Sequence, residues 1–116
     1  MPTFARVYTG ADGQSHLEEL RLSAEDVHQI PTEPGENLVF RRRTMPGWHN
    51  PPRRQFVITL LGQVEIGFGD GTTKLLGPGD ISLMEDHTGR GHTTTVVDGP
   101  WLSIQIPVDI NAPVRE

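Results

Sequence analysis

Apolar and polar positions alternate over short stretches of this chain, and the densest stretch is QFVITLLGQVEIGF, from Gln55 to Phe68. Its β-branched and aromatic residues are interrupted once, at Gly62, which predicts two strands joined at a bend or bulge. Asp70-Gly71 then supplies a tight hairpin turn. Beyond it, 72–76, 81–84, 91–97 and 101–108 read as further strands, parted by Gly77-Pro78-Gly79-Asp80 and Asp98-Gly99-Pro100. Upstream, 4–8, 16–22 and 37–44 are strand candidates. Ser23-Ala24-Glu25-Asp26 has the form of a capping box and predicts one helical turn through Val27, which Pro31, Pro34 and Gly35 keep short. Turn signals at such close intervals indicate an all-β sandwich or barrel.

Side chains alternate faces along a strand, so each pattern also assigns directions. His16 and Glu18 share a face with Leu20 and Leu22, and Arg42 and Thr44 share one with Leu38 and Phe40. If apolar positions mark the interior, His16, Glu18 and Arg42 point inward. Gln55, Val57 and Thr59 lie opposite Phe56, Ile58 and Leu60, so both faces of that strand are expected to be covered. The apolar outer face Phe56, Ile58, Leu60 suggests a homodimer.

At 116 residues the chain is expected to be a single domain, with irregular N-terminal strands over 1–44, core barrel motifs over 45–108 and a loose tail at 111–116. The absence of cysteine excludes disulfides, thiolate metal sites and cysteine nucleophiles, and fits a reducing cytoplasm. The first residues lack a signal-peptide pattern, and no stretch is long and apolar enough to span a membrane. A net charge of −5 argues against nucleic-acid or anionic-membrane partners. The arginines at 41–43 and at 53 and 54 read as mostly solvated. The 13 glycines and 10 prolines fall between the apolar runs, where they punctuate strands.

Two motifs carry the chemistry. His49-Asn50-Pro51, three residues, Gln55, six residues and Gly62 form the first; Gly79 and, thirteen residues on, His92 behind Asp86-His87-Thr88-Gly89-Arg90-Gly91 form the second. Together they resemble the two motifs of the cupins, in particular small single-domain bacterial cupins, with further similarity in 9–16, 48–56 and 85–92. Pro51 stands where the first motif has its second His, Gln55 where it has Glu, and the second motif is two residues longer than usual. The resemblance implies a double-stranded β-helix, or jelly-roll, barrel. It does not imply one reaction, because cupins include many enzyme classes and non-catalytic binders.

The resemblance also implies a divalent-metal site of three His and one Glu. Carried over by position, it leaves His49, Gln55 and His92 as metal ligands, a weaker and less charged set, which His16 or Glu18 would supplement if either reached it. The preferred reading needs no cofactor. His92 or His49 exchanges protons with a compact organic substrate, Arg42 and Gln55 bind its carbonyl or carboxylate, and Trp48, Val57, Thr59 and Thr94 shape the cavity with His16 and Glu18 nearby. Isomerisation, cyclisation, lyase and decarboxylase chemistry all fit. The alternatives are a metal-dependent oxygenase or lyase and a non-catalytic ligand-binding or sensory protein. His28 and His87 read as turn or helix-end residues, Gly89-Arg90-Gly91 as a turn into a strand, and Arg53-Arg54 as exposed. Asp86 is expected to fix its turn by bonds to backbone NH groups.

Overall fold

A computed structural model describes residues 3–111. The elements are β1 (Phe4–Thr9), β2 (Ser15–Glu19), α1 (Ala24–His28), β3 (Asn37–Arg41), β4 (Met45–His49), β5 (Gln55–Gly67), β6 (Thr73–Leu76), β7 (Ile81–Met84) and β8 (His92–Pro107). They form one mixed eight-stranded sheet in the order β2-β1-β7-β5-β8-β3, with β4 added to β8 and β6 to β5. All neighbours are antiparallel except β1 and β7. The all-β expectation is met. A closed barrel is not, since β2 and β3 end the hydrogen-bonded path. No helix among the described residues is long and apolar enough to cross a membrane.

Two long strands organise the sheet. The break expected at Gly62 lies inside β5, and the break expected at Asp98-Gly99-Pro100 lies inside β8; each strand continues through an irregularity where the two pair. Gly62 has a φ of 82°, and a Cβ there would stand 2.4 Å from the Pro100 carbonyl oxygen, so the two irregularities nest only because this position is glycine. The extra residues shift the alternation. Gln55, Val57 and Thr59 are buried before the irregularity, and Val64 and Ile66 after it. Odd positions face in on one side and even positions on the other.

The inner face packs Val7, Val64, Ile66, Leu76, Met84 and Trp101 into one cluster. On the opposite face Phe56, Leu83, Ile30 and Val108 form a second, covered by Phe4, Leu22, Ile81 and Ile106. Phe56 is therefore not part of an outer dimer face: the segment around α1 supplies its cover. That helix has the expected cap, with Ser23 Oγ accepting from Asp26 N and the Asp26 carboxylate accepting from Ser23 N.

Two inward assignments are reversed. In β2 the buried Ser15 and the core-packed Leu17 face inward, which sends His16 and Glu18 outward. The strand ends at Glu19, so Leu20 is buried by a turned chain and does not set the strand's phase. In β3, Leu38 and Phe40 are 65% and 54% exposed, so Arg42 follows them outward and Arg41 faces in. Arg54 is also not the exposed turn residue expected. It is buried, donates to Glu85 at 2.6 Å and to the Asp109 carbonyl at 2.7 Å, and shares Glu85 with Arg6. Asn111 ends the described residues, so the expected tail lies almost wholly outside them.

Candidate functional site

Pairing of β4 with β8 sets His49 directly across from His92. A short glycine corner allows it. Gly91 has a φ of 81°, and a Cβ there would stand 2.1 Å from the His49 carbonyl oxygen. The imidazole rings meet edge to face, with centroids 4.8 Å apart and planes at 68°. The side-chain amide of Asn50 reaches the carbonyls of Asp86, Thr88 and Gly89 at 2.8, 3.0 and 3.3 Å, and so ties the end of β4 to the loop that precedes His92.

Behind His92 lies Asp86, which is fully buried. Its Oδ2 accepts from Ser15 Oγ at 2.6 Å and meets His92 Nδ1 at 2.5 Å, while Oδ1 has no partner among the described residues. Asp86 thus holds a histidine, and not the backbone of its own turn as expected. A carboxylate accepts and does not donate, so this contact selects the Nδ1–H tautomer and leaves Nε2 for the cavity that His92 lines.

His49 is oriented in the same way by weaker partners. Its Nδ1 lies 3.3 Å from the Gly47 carbonyl, which can only accept, and its Nε2 lies 3.2 Å from Thr94 Oγ1, which can donate. Burial first, and then the neighbouring His92, hold the His49 imidazole below its ordinary value of 6.5. It is therefore neutral at pH 7, with Nε2 able to take a proton.

The two rings stand in the wall of a cavity of about 170 Å³. Val57, Val64, Ile66, Leu76, Met84 and Trp101 make its apolar lining, and Trp101 is held by its Nε1–H bond to Thr59 Oγ1 at 3.1 Å. Polar groups come from Gln55, Thr59, Ser82, Thr94 and Gln105, with Arg41 alone carrying a fixed charge. Gln55 is buried, and its Oε1 accepts from Arg53 Nε at 3.2 Å.

Six residues singled out in the sequence therefore surround one space: His49, Gln55, Val57, Thr59, His92 and Thr94. Four others do not join them. Arg42 is exposed on the outer face, its guanidinium 5.1 Å from the Phe40 ring. Trp48 is 41% exposed and stacked beneath Arg90 at 4.1 Å. His16 pairs with Asp12 on the outer face, with Nε2 3.0 Å from both carboxylate oxygens, and Glu18 is exposed. His28 and His87 are exposed, as expected.

The donor set does not fit the three-His, one-Glu metal site that the cupin resemblance implies. Pro51 lines the cavity without a donor atom, the Gln55 oxygen is engaged by Arg53, and His16 and Glu18 are on the wrong face. Among the described residues no group of three or more His, Cys, Asp or Glu is placed to hold a metal ion.

Gln105 was not singled out in the sequence, Arg41 was named only among solvated arginines, and Asp86 and Asn50 were named without the roles they have at the site. Arg41 had a visible signal in its alternation with Arg42, once the face is assigned correctly. Asp86 had none, because its partnership with His92 crosses a loop and follows no strand or helix period.

No protein-family profile matches the chain, and neither does any curated protein. Among solved structures, protein NMB1881 from Neisseria meningitidis is similar, with 18% identity and a TM-score of 0.51 over 68% of this chain and 80% of that one. At this identity the likeness concerns the fold.

Proposed function

We propose that this chain is a small cupin-type, jelly-roll enzyme that moves protons on a compact organic molecule held in the cavity against His49 and His92. The supporting observation is the buried relay of Asp86 Oδ2 to His92 Nδ1, which fixes His92 with Nε2 on the cavity side. An imidazole so oriented takes a proton at Nε2, and the carboxylate behind it stabilises the imidazolium that forms. His49, neutral and in edge-to-face contact with His92 in the same wall, exchanges a proton with a neighbouring atom of the same substrate. Isomerisation, cyclisation and elimination can each use such a pair, and decarboxylation can use one member of it to protonate the carbanion left by loss of CO2. The apolar floor excludes water from the reacting carbon.

Proton exchange tests this reading without knowledge of the natural substrate. A set of small enolisable carbonyl compounds is incubated with the protein in D2O, and loss of the α-proton signal is followed by NMR. Exchange above the buffer rate, abolished by His92→Gln and by His49→Gln, is expected. If compounds that enter the cavity show no exchange with the unsubstituted protein, the non-catalytic binding reading replaces this one.

A homodimer is a separate proposal, with the outer face of β3 and β8 as the surface that a second copy would cover. Leu38 pairs with Ile104 and Phe40 with Leu102 there, and directly paired residues share a face. Sedimentation equilibrium checks it: a monomer at working concentration rules the dimer out.

A further inference from the structure

The cavity is electrostatically one-sided, although the chain as a whole carries a net charge of −5. None of its lining residues among those described is Asp or Glu, and the carboxylate nearest the histidines, Asp86, stands behind His92 and outside the lining. Arg41 supplies the single fixed charge. Its position follows from register, since it lies across from Trp101 on the inner face of β3 and β8. The other basic side chains are largely engaged: Arg6 and Arg54 share Glu85, Lys74 pairs with Glu19, Arg53 bonds Gln55, and Arg90 covers Trp48. Arg41 has no acidic partner among the described residues.

A second, more open basin adjoins the cavity. Arg41, Arg42 and Arg43 line it together with Phe40, Met45 and His49, and it too has no acidic lining residue among those described. Arg41, Met45 and His49 belong to both spaces, so they form the wall between them. Arg42 and Arg43 thus stand in a basin beside the cavity whose one fixed charge is Arg41. An uncompensated guanidinium group in the wall of a low-dielectric space attracts and holds anions.

We infer that the substrate of the proposed site is a small organic carboxylate, bound with its carboxylate on Arg41 and its hydrocarbon body on the apolar floor, so that a neighbouring carbon faces His49 and His92. This rests on the acid–base reading above and names its substrate class. The floor of Val57, Val64, Ile66 and Leu76 calls for a hydrocarbon body, which favours a carboxylate over inorganic phosphate. The volume of about 170 Å³ is below the ~300 Å³ at which pockets for drug-sized ligands begin, so the acid is small. Arg42 and Arg43, in the adjoining basin, add to the positive field that attracts it.

Matched probes separate charge from shape. Binding of benzoate, benzamide and straight-chain carboxylates of three to eight carbons is followed by NMR shifts of the His49 and His92 ring protons, with the two histidine variants used for assignment. Benzoate is expected to bind at least about tenfold tighter than benzamide, the worth of one charge-assisted hydrogen bond. Arg41→Gln removes that preference while benzamide binding persists, and Arg41→Lys keeps the preference with weaker affinity. Arg43→Gln lowers benzoate affinity less and flattens its salt dependence. Equal binding of benzoate and benzamide, an unchanged preference in Arg41→Gln, or no binding by any carboxylate would overturn the proposal. The readout needs no turnover. Arg41-dependent carboxylate binding with no proton exchange in any enolisable oxo acid that binds defeats the acid–base reading and leaves the ligand class standing.

Discussion

Asp86 and His92, six residues apart, meet through a 2.5 Å contact between Oδ2 and Nδ1 at a point where both side chains are sealed from solvent. Asn at position 86 can keep an oxygen toward both Ser15 and His92, so Asp86→Asn preserves the hydrogen-bond pattern and removes the negative charge. The imidazolium formed during proton transfer then has no counter-charge, and α-proton exchange should fall by about a hundredfold or more. Benzoate binding should change little. The split between rate and affinity is the deciding measurement, because a merely structural Asp86 would lose both together.

The lowered affinity of His49 for protons gives a pH prediction with a definite sign. Below 6.5 the unfolded chain takes up a proton at this residue before the folded chain does. Stability from this group is therefore complete above 6.5 and is lost as pH falls from there through the lower, folded-state value. The ring-proton titration of His49 should have its midpoint below 6.5. Since His92 is the second cause of the shift after burial, His92→Gln should move that midpoint upward without restoring it fully. An unchanged midpoint in the variant would remove His92 from the explanation.

Residue types explain why some of this was legible and some was not. Turn chemistry marked β6, β7 and the hairpin at Asp70-Gly71, and the capping box at Ser23 marked α1, because each depends on neighbours in sequence. The histidines at 49 and 92 were brought together by motif spacing. Direction was the weak point. Apolar alternation in β3 gave the right period but the wrong face, since Leu38 and Phe40 are apolar and exposed. That one inversion exchanged Arg42 for Arg41. In β2 the phase of Leu20 and Leu22 does not apply, because both lie past the strand's end. The irregularities within β5 and β8 reverse the alternation partway along, which no fixed period can represent. Asp86 and Asn50 act across loops, where the partner is set only by the finished fold.

Ser103 offers a test of the inner wall. It is fully buried on β8 between two cavity-lining residues of the same face, Trp101 and Gln105, and its Oγ has no partner among the described residues. A buried hydroxyl without a partner pays its desolvation with no return, so Ser103→Ala should be neutral or stabilising, by up to about 1 kcal/mol. Urea unfolding measures it through the midpoint at constant m-value. A loss of more than about 1 kcal/mol would instead reveal an internal water bonded to that hydroxyl.

The approach of β4 to β8 is best tested by two glycines with similar backbones and different surroundings. Gly71 and Gly91 have φ values of 88° and 81°, so alanine at either carries the left-handed backbone penalty, ~1–3 kcal/mol. At Gly71 a Cβ meets nothing within 4 Å, whereas at Gly91 it meets the His49 carbonyl at 2.1 Å. Gly71→Ala should therefore cost only the backbone term. Gly91→Ala should cost more by ~2 kcal/mol, because it must push β4 away from β8. It should also open the gap between the two imidazoles, so that His49, less buried and farther from His92, titrates nearer 6.5. Equal unfolding midpoints for the two variants would mean that the close approach at Gly91 does not hold His49 in place, and the pairing of the two histidines would need another cause.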